Sequence, residues 1–327
     1  MKKKMKRLFV VIACIIATSL GYASAKDFPT RPVSIVVPFA AGGPTDTLAR
    51  ILAQRMSTSL GQTVVVENVT GAGGSIAVGR VVRAANDGYT LSIGQLGTHC
   101  LNGAIYSLPY NLLTDLEPIA LLASNPQMIV SKKAVPANNL KELIAWVKAN
   151  QDKVIIGTAG AGTPAHVSGV YFQNQIGAHV RFVPYRGAGP AIQDLIAGNI
   201  DLYLDQASNS IGHVRGGTIK AYAVTAKTRL AIAPDIPTTD EAGLPGFYVS
   251  VWHGLWAPKN TPKDVIAKLD AAVKETLADP AVRKRLAELG QAIPPLEQQT
   301  PDGLASFQKA EIEKWWPIIR AANIKVQ

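Results

Sequence analysis

Two hydrophobic spacings alternate along this chain. Short unbroken apolar runs of strand length are followed by longer stretches in which apolar residues recur every three or four positions, as on one face of a helix. Residues 33–40 (VSIVVPFA) read as a buried strand, and residues 46–60 as a helix opened by Pro44-Thr45-Asp46 and closed by Gly61. Residues 63–69 (TVVVENV) form a second strand. A glycine-rich turn at 71–74 then leads to Ser75 and a helix through about Ala85, and a third strand spans 89–95 after the turn Asn86-Asp87-Gly88. The middle third repeats the pattern. Strands are predicted at 127–133, 154–158, 179–185 and 200–205, with helices at 138–151, from Pro164 to about Gln175, and from Pro190 to Ala197. Residues 219–226 (IKAYAVTA) make a strand suited to a return crossing. The last third has strand-like residues 249–257 and helices near 262–278, 280–289 and 301–323.

Strands alternating with helices of this length predict an α/β fold, a mainly parallel sheet flanked by helices on both faces. No period of 20–50 residues recurs, which excludes a solenoid. No low-complexity linker separates the α/β units, so they are expected as rigid lobes joined by strand crossings near 126 and 224. Lobe 1 then comprises residues 26–126 and 224–327, and lobe 2 residues 127–223.

The first 25 residues stand apart. Lys2, Lys3, Lys4, Lys6 and Arg7 precede an apolar run from Leu8 to Leu20, and Ala23-Ser24-Ala25 is a small-residue cleavage signal. The run is shorter than the ~20 apolar residues that a bilayer span needs. A signal peptide cleaved after Ala25 is expected. The rival is a lipid anchor at Cys14, for which Val11-Ile12-Ala13 is a poor lead-in. Without this segment, which holds five basic and no acidic residues, the net charge drops from +10 to +5. The remaining basic residues are scattered and not interleaved with aromatics, which argues against nucleic acid as a partner. A mild positive balance modestly favours anionic solutes. Cys100 is then the only cysteine, so no intrachain disulfide forms, and a small buried residue is the expected role.

Four loops share one design: an apolar strand ends, glycine and small polar residues follow, and a helix begins. They are Phe39-Ala40-Ala41-Gly42-Gly43-Pro44-Thr45-Asp46, Gly71-Ala72-Gly73-Gly74-Ser75, the stretch 157–163 (GTAGAGT), and Tyr185-Arg186-Gly187-Ala188-Gly189-Pro190. In an open parallel sheet, loops at the carboxyl ends of strands are where ligands bind. Helix N-termini there offer unpaired N–H groups and partial positive charge to a carboxylate or phosphate. None of these loops matches a P-loop or G-x-G-x-x-G. His99, His166, His179, His213 and His253 lack zinc-ligand spacing, and no G-x-S-x-G elbow occurs, so neither a metal nor another cofactor is expected. His99 and His166 sit at or just beyond strand ends, where each is either a cleft residue or a structural one. Asp46, Asp194 and Asp205 admit an acid/base reading. Asp46 and Asp194 equally suit the first turn of a helix, and Asp205, ending an apolar strand, is the stronger cleft residue. Trp315-Trp316 in the last helix is expected to pack in the core.

Taken in order, six segments resemble the substrate-binding proteins of tripartite tricarboxylate transporters, the Bug or TctC family. They are residues 38–54 (PFAAGGPTDTLARILAQ), 71–91, 108–123 (LPYNLLTDLEPIALLA), 157–169 (GTAGAGTPAHVSG), 183–201 (VPYRGAGPAIQDLIAGNID) and 234–247. The resemblance implies a two-lobed, type II-like periplasmic binding protein, a Venus flytrap that closes on a small carboxylate. It implies delivery to a membrane permease of one large and one small subunit, with no catalysis, and the chain is expected to act as a monomer. Carried over by motif position, the ligand-binding residues are Phe39, Gly42, Gly43, Thr45 and Asp46 in the first loop, Gly74 and Ser75 in the second, and Thr98 and His99 after the third strand. The other lobe contributes Thr163, His166, Tyr185, Gly187, Pro190 and Asp205. Arg186 stands where the family pattern has lysine, and Thr163-Pro164-Ala165-His166 where serine-rich versions are usual, so ligand preference is left open. A sensory receptor of the same fold and an exported enzyme using His99 or His166 with Asp46 or Asp205 are the alternatives.

Overall fold

The computed structural model describes residues 28–322 and 324, so the expected signal segment, with Cys14, lies outside the described residues. The expected α/β alternation is present. The first unit runs β1 (Val33–Val37), α1 (Pro44–Leu60), β2 (Val64–Asn68), α2 (Ser75–Val82) and β3 (Thr90–Gln95). Pro44 is accommodated at the start of α1, where its missing N–H costs nothing, and Gly61 closes the helix at φ 64°. The second unit runs α4 (Leu140–Ala149), β5 (Ile155–Thr158), α5 (Pro164–Ile176), β6 (Arg181–Pro184), α6 (Ala188–Ala197), β7 (Leu202–Gln206), α7 (Ala207–Arg215) and β8 (Ile219–Val224). The short α3 (Asn102–Ile105) and β4 (Leu116–Lys132) join the two units, and β9 (Ser250–Pro258), α8 (Lys263–Ala278), α9 (Pro280–Glu288) and α10 (Pro301–Ala321) complete the chain.

The strands form a sheet in the order β2-β1-β3-β9-β4-β7-β5-β6, with β8 pairing β4 from off this path. Three strands are parallel at each end, β2-β1-β3 and β7-β5-β6, but β9 and β4 run antiparallel through the middle. The sheet is therefore mixed, with parallel strands confined to its two ends. The 17-residue β4 is the shared element. Leu116 to Pro126 pairs with β9, and from Gln127 onward the strand pairs with β7 and β8. Its first half escaped the hydrophobic reading, because Pro118 and Pro126 look like strand breakers. Pro118 sits at a register irregularity and Pro126 where the ladder changes partner, so neither interrupts a regular run of hydrogen bonds.

Where β4 changes partner, Thr225 ties three segments together. Its hydroxyl donates to the carbonyls of Val249 (2.7 Å) and Gln127 (3.1 Å), and its N–H donates to Gln127 O (2.8 Å). One apolar cluster lies between the first unit's sheet and α1 and α8, around Leu48, Leu52 and Leu269. Another lies under the second unit, around Ile192, Leu195 and Tyr203. A third, with Ile129, Phe247, Trp252 and Trp256, runs beneath both. Trp315 is buried in it, as expected, while Trp316 is only partly covered and donates to Cys100 O at 2.9 Å. Cys100 is buried, and that burial pushes its thiol well up from its ordinary range.

Candidate functional site

The first, third and fourth glycine-rich loops meet face to face at the carboxyl ends of β1, β5 and β6. Ala40 N donates to Arg186 O at 3.0 Å, and the Tyr106 hydroxyl donates to Ala161 O at 2.7 Å. Gly187, at φ 150°, lies so close to the first loop that a side chain there would meet Ala40 N at 3.1 Å. Between these loops lies a pocket bounded by Phe39, Gly43–Asp46, Thr163–Ala165, Ala188 and Asp205. Phe39 and Ala159 also border a second hollow toward Gly74, Tyr106 and Tyr185.

Four helices of nine or more residues begin at the first pocket: α1, α5, α6 and α7. Their N-cap residues are Gly43, Thr163, Gly187 and Gln206, and none of them supplies a side-chain cap. Thr163 has a hydroxyl but donates it to Gly160 O at 2.7 Å. By contrast α4, α9 and α10, which start away from the pocket, are capped by Asn139, Asp279 and Thr300. At α1, α5 and α6 this leaves N–H groups and a partial positive charge directed at the pocket, whereas at α7 Asn125 Oδ1 accepts from Ser208 N at 2.9 Å. Among the described residues no lysine, arginine or histidine lines it. The arrangement can hold an anion by backbone dipoles, and its one hydroxyl with a histidine partner is Thr45, 3.1 Å from His253 Nε2. No group of histidine, cysteine and acidic side chains suited to a metal ion occurs among the described residues.

The two pocket carboxylates are shifted in opposite directions. Burial pushes Asp46 up, but Arg50, Gly42 N–H and the Asn68 amide outweigh it and hold the carboxyl below its ordinary range. Arg50 is bidentate at 2.9 Å, Gly42 N is at 3.0 Å and Asn68 Nδ2 at 2.9 Å, so both oxygens are already occupied. Asp205 is fully buried, and burial pushes it up to about 7 against the donated hydrogen bonds of Ser210 (2.6 Å) and Asn209 (2.7 Å). Asp194 is neither in a first helical turn nor at the pocket. It lies late in α6 and accepts the Tyr185 hydroxyl at 2.6 Å.

The expected site residues divide. Phe39, Gly43, Thr45, Asp46, Thr163 and Asp205 line the first pocket, and Gly74 and Tyr185 the second. Gly42 supports the site by its bond to Asp46, Gly187 caps α6, and Pro190 follows in that helix's first turn. Ser75 turns its hydroxyl back to Ala72 O at 2.8 Å. Thr98 and His99 face the core and not the cleft. They sit in a π-helical turn, Gly97–Leu101, which the apolar pattern does not announce. The His99 ring stacks on Trp256 at 3.9 Å between centroids and covers Gly94, while Thr98 brackets the end of β3. His166 turns away as well, accepting from Gly162 N at 3.2 Å and packing edge-on against Phe182. Reasoning from loops also missed Gln95 and Gln206, which line the pocket from strand ends, and Gln127, which lines it from within β4. Only strand alternation combined with the β4 register identifies the last two.

A family model described as "Tripartite tricarboxylate transporter family receptor" matches residues 48–324. Among solved structures, the periplasmic binding protein BugD is 41% identical and superposes with a TM-score of 0.89, covering 91% of this chain and all of its own. MatC (Rpa3494) from Rhodopseudomonas palustris with bound malate is 41% identical, with a TM-score of 0.87, 89% of this chain and all of its own. Rpa4515 of R. palustris with adipate is 32% identical, with a TM-score of 0.87, 92% of this chain and all of its own.

Proposed function

The chain belongs to the tripartite tricarboxylate transporter receptor family, and from that premise we propose that it is a periplasmic receptor for a small carboxylate. The observation that carries the reading is the convergence of four helix N-termini, three of them without a side-chain cap, on one pocket without a fixed cation. Such a pocket suits a carboxylate bound through N–H groups and solvates it poorly otherwise. That relatives are solved with malate and adipate supports the same class. The residues in direct contact are taken to be Phe39, Gly43, Thr45, Thr163 and Ala188, with Asp205 beside them.

The receptor hands its ligand to a membrane permease of one large and one small subunit, acts as a monomer and catalyses nothing. Asp46 is held by four hydrogen bonds and so is unsuited to act as a base. Residues 1–25 are removed on export. The lobes divide near 126 and 224, with the hinge at Gln127, Thr225 and Val249. A thermal-shift screen tests the reading. A carboxylate at a hundredfold excess over its dissociation constant stabilises the protein by about 2.7 kcal/mol and is recovered chemically unchanged. Stabilisation by sugars or metal cations but by no carboxylate would sink it.

A further inference from the structure

Building on that carboxylate reading, we propose that Gln127 and Gln206 form a paired amide platform that reads a hydrogen-bond donor on the ligand, a hydroxyl or an ammonium, in addition to its carboxylate. The two residues are direct cross-strand partners in the β4–β7 register. Opposite residues of an antiparallel pair project to the same face with Cβ atoms ~5 Å apart, so one ligand group can reach both. Both line the pocket where the four helices begin. The Oε1 atom of each is buried and has no hydrogen-bond partner among the described residues, and Gln127 is only 1% exposed.

The other polar side chains around the pocket are already engaged. Asp46 is taken by Arg50, Asn68 and Gly42, Thr45 bonds His253 at 3.1 Å, Thr163 bonds Gly160 O, and Gln95 Oε1 accepts from Gly97 N. Asp205 already accepts from Ser210 and Asn209. The two glutamine carbonyls are therefore the unfilled acceptors. A carboxylate brings acceptors only, and the helix N-termini serve those. A buried carbonyl left without a donor is unfavourable, so a ligand that carries a donor gains over one that lacks it. The same asymmetry lets a site built around a hydrogen bond reject an analogue that has lost the group.

The test is calorimetric titration of the processed full-length receptor with matched acids differing at one carbon. One series is succinate, malate and aspartate, a second is glutarate, 2-hydroxyglutarate and glutamate, and a third is propionate, lactate and alanine. In every series that binds, the hydroxyl or amino member is expected to bind at least about tenfold tighter than its parent. Comparing those two members tells which donor is read. In Gln127→Leu and in Gln206→Leu that advantage shrinks below about threefold. Gln206 is half-buried at a helix start, so its variant keeps the test open if Gln127→Leu fails to fold. Parent acids that bind the wild type as tightly as their substituted partners overturn the proposal while leaving the carboxylate receptor standing, and so does an advantage that survives in both variants. If no acid of any series binds, the carboxylate reading fails and the platform with it.

Discussion

A methyl group at Gly94 would fall inside the His99 ring, whereas one at Gly43 would rest 3.5 Å from Gly189 N, at ordinary contact distance. Two glycines of similar appearance in the sequence thus have different tasks. Gly94→Ala is expected to lower stability by about 3 kcal/mol, because the ring is pinned against Trp256 and cannot yield. Gly43 has φ −88°, which any residue tolerates, so Gly43→Val folds normally. Its branches would reach toward Ala188 and Gly189 and block the pocket. Urea unfolding and calorimetry separate the two outcomes, and a Gly43→Val protein that binds normally would place that loop outside the site. The ionisable residues predict a pH profile. Asp205 ionises near 3.8 unfolded but at about 7 folded, so its contribution to stability falls as pH rises from about 4 to 7. His99 and His253 are pushed down to about 3 by burial, so the unfolded chain takes up protons below 6.5 that the folded one refuses, and stability falls on acidification. The two effects oppose each other between pH 4 and 6.5. Asp205→Asn is therefore expected to show a thermal midpoint that climbs more steeply with pH over that range than the wild type's. Equal slopes would mean that Asp205 is ionised throughout.

At the level of elements, α4, α9 and α10 carry side-chain caps of their own, α1, α5 and α6 present uncapped N-termini to the pocket, and α8 is uncapped although it starts elsewhere. Thr300 accepts from Gly303 N at 3.0 Å and caps α10, far from the pocket. Thr300→Ala is expected to cost about 1 kcal/mol of stability and leave ligand affinity unchanged. The helices at the pocket sacrifice that stabilisation. Helix α10 also holds the π-helical turn in place. Gln308 Nε2 donates to His99 O at 2.8 Å and to Leu112 O at 3.2 Å, and Glu311 accepts from Trp252 and Trp315. The C-terminal helix thereby fixes the end of β3 from behind, and this is why the turn carrying Thr98 and His99 belongs to the core.

For the whole molecule, the bonds from Ala40 N to Arg186 O and from Tyr106 to Ala161 O join the loops of β1–β3 to those of β5 and β6 across the pocket. Both exist only while the two ends of the sheet face each other. Tyr106→Phe removes one of them without touching the pocket lining described for Phe39 and Thr45. The expected result is a three- to tenfold faster ligand release, from the net value of about 1 kcal/mol for one hydrogen bond, with little change in association. Stopped-flow kinetics would show it, and an unchanged release rate would mean that the bond does not distinguish open from closed forms.

Much of the fold was legible because it rests on local chemistry. An apolar run such as VSIVV, a proline at the first turn of α1 and glycines after its last turn specify strand, helix and turn without reference to distant residues. For the same reason the glycine-rich loops could be placed at strand ends, and Phe39, Gly43, Thr45, Thr163 and Asp205 do line the pocket. Other features depended on partners far along the chain. The first half of β4 looks broken until β9 is seen to accommodate its prolines, Pro118 opposite Trp256 and Pro126 opposite Ser250. His99 resembles a cleft residue until Trp256 and α10 enclose it. Gln127 and Gln206 are unremarkable polar residues in sequence, 79 positions apart, and become a pair only through the antiparallel register of β4 and β7. The elements and the chemistry of their ends can be read along the chain, because they follow from neighbours within a few residues. Which ends meet, and which polar groups stay unsatisfied when they do, emerges once the chain is folded, because long-range pairing and burial set both.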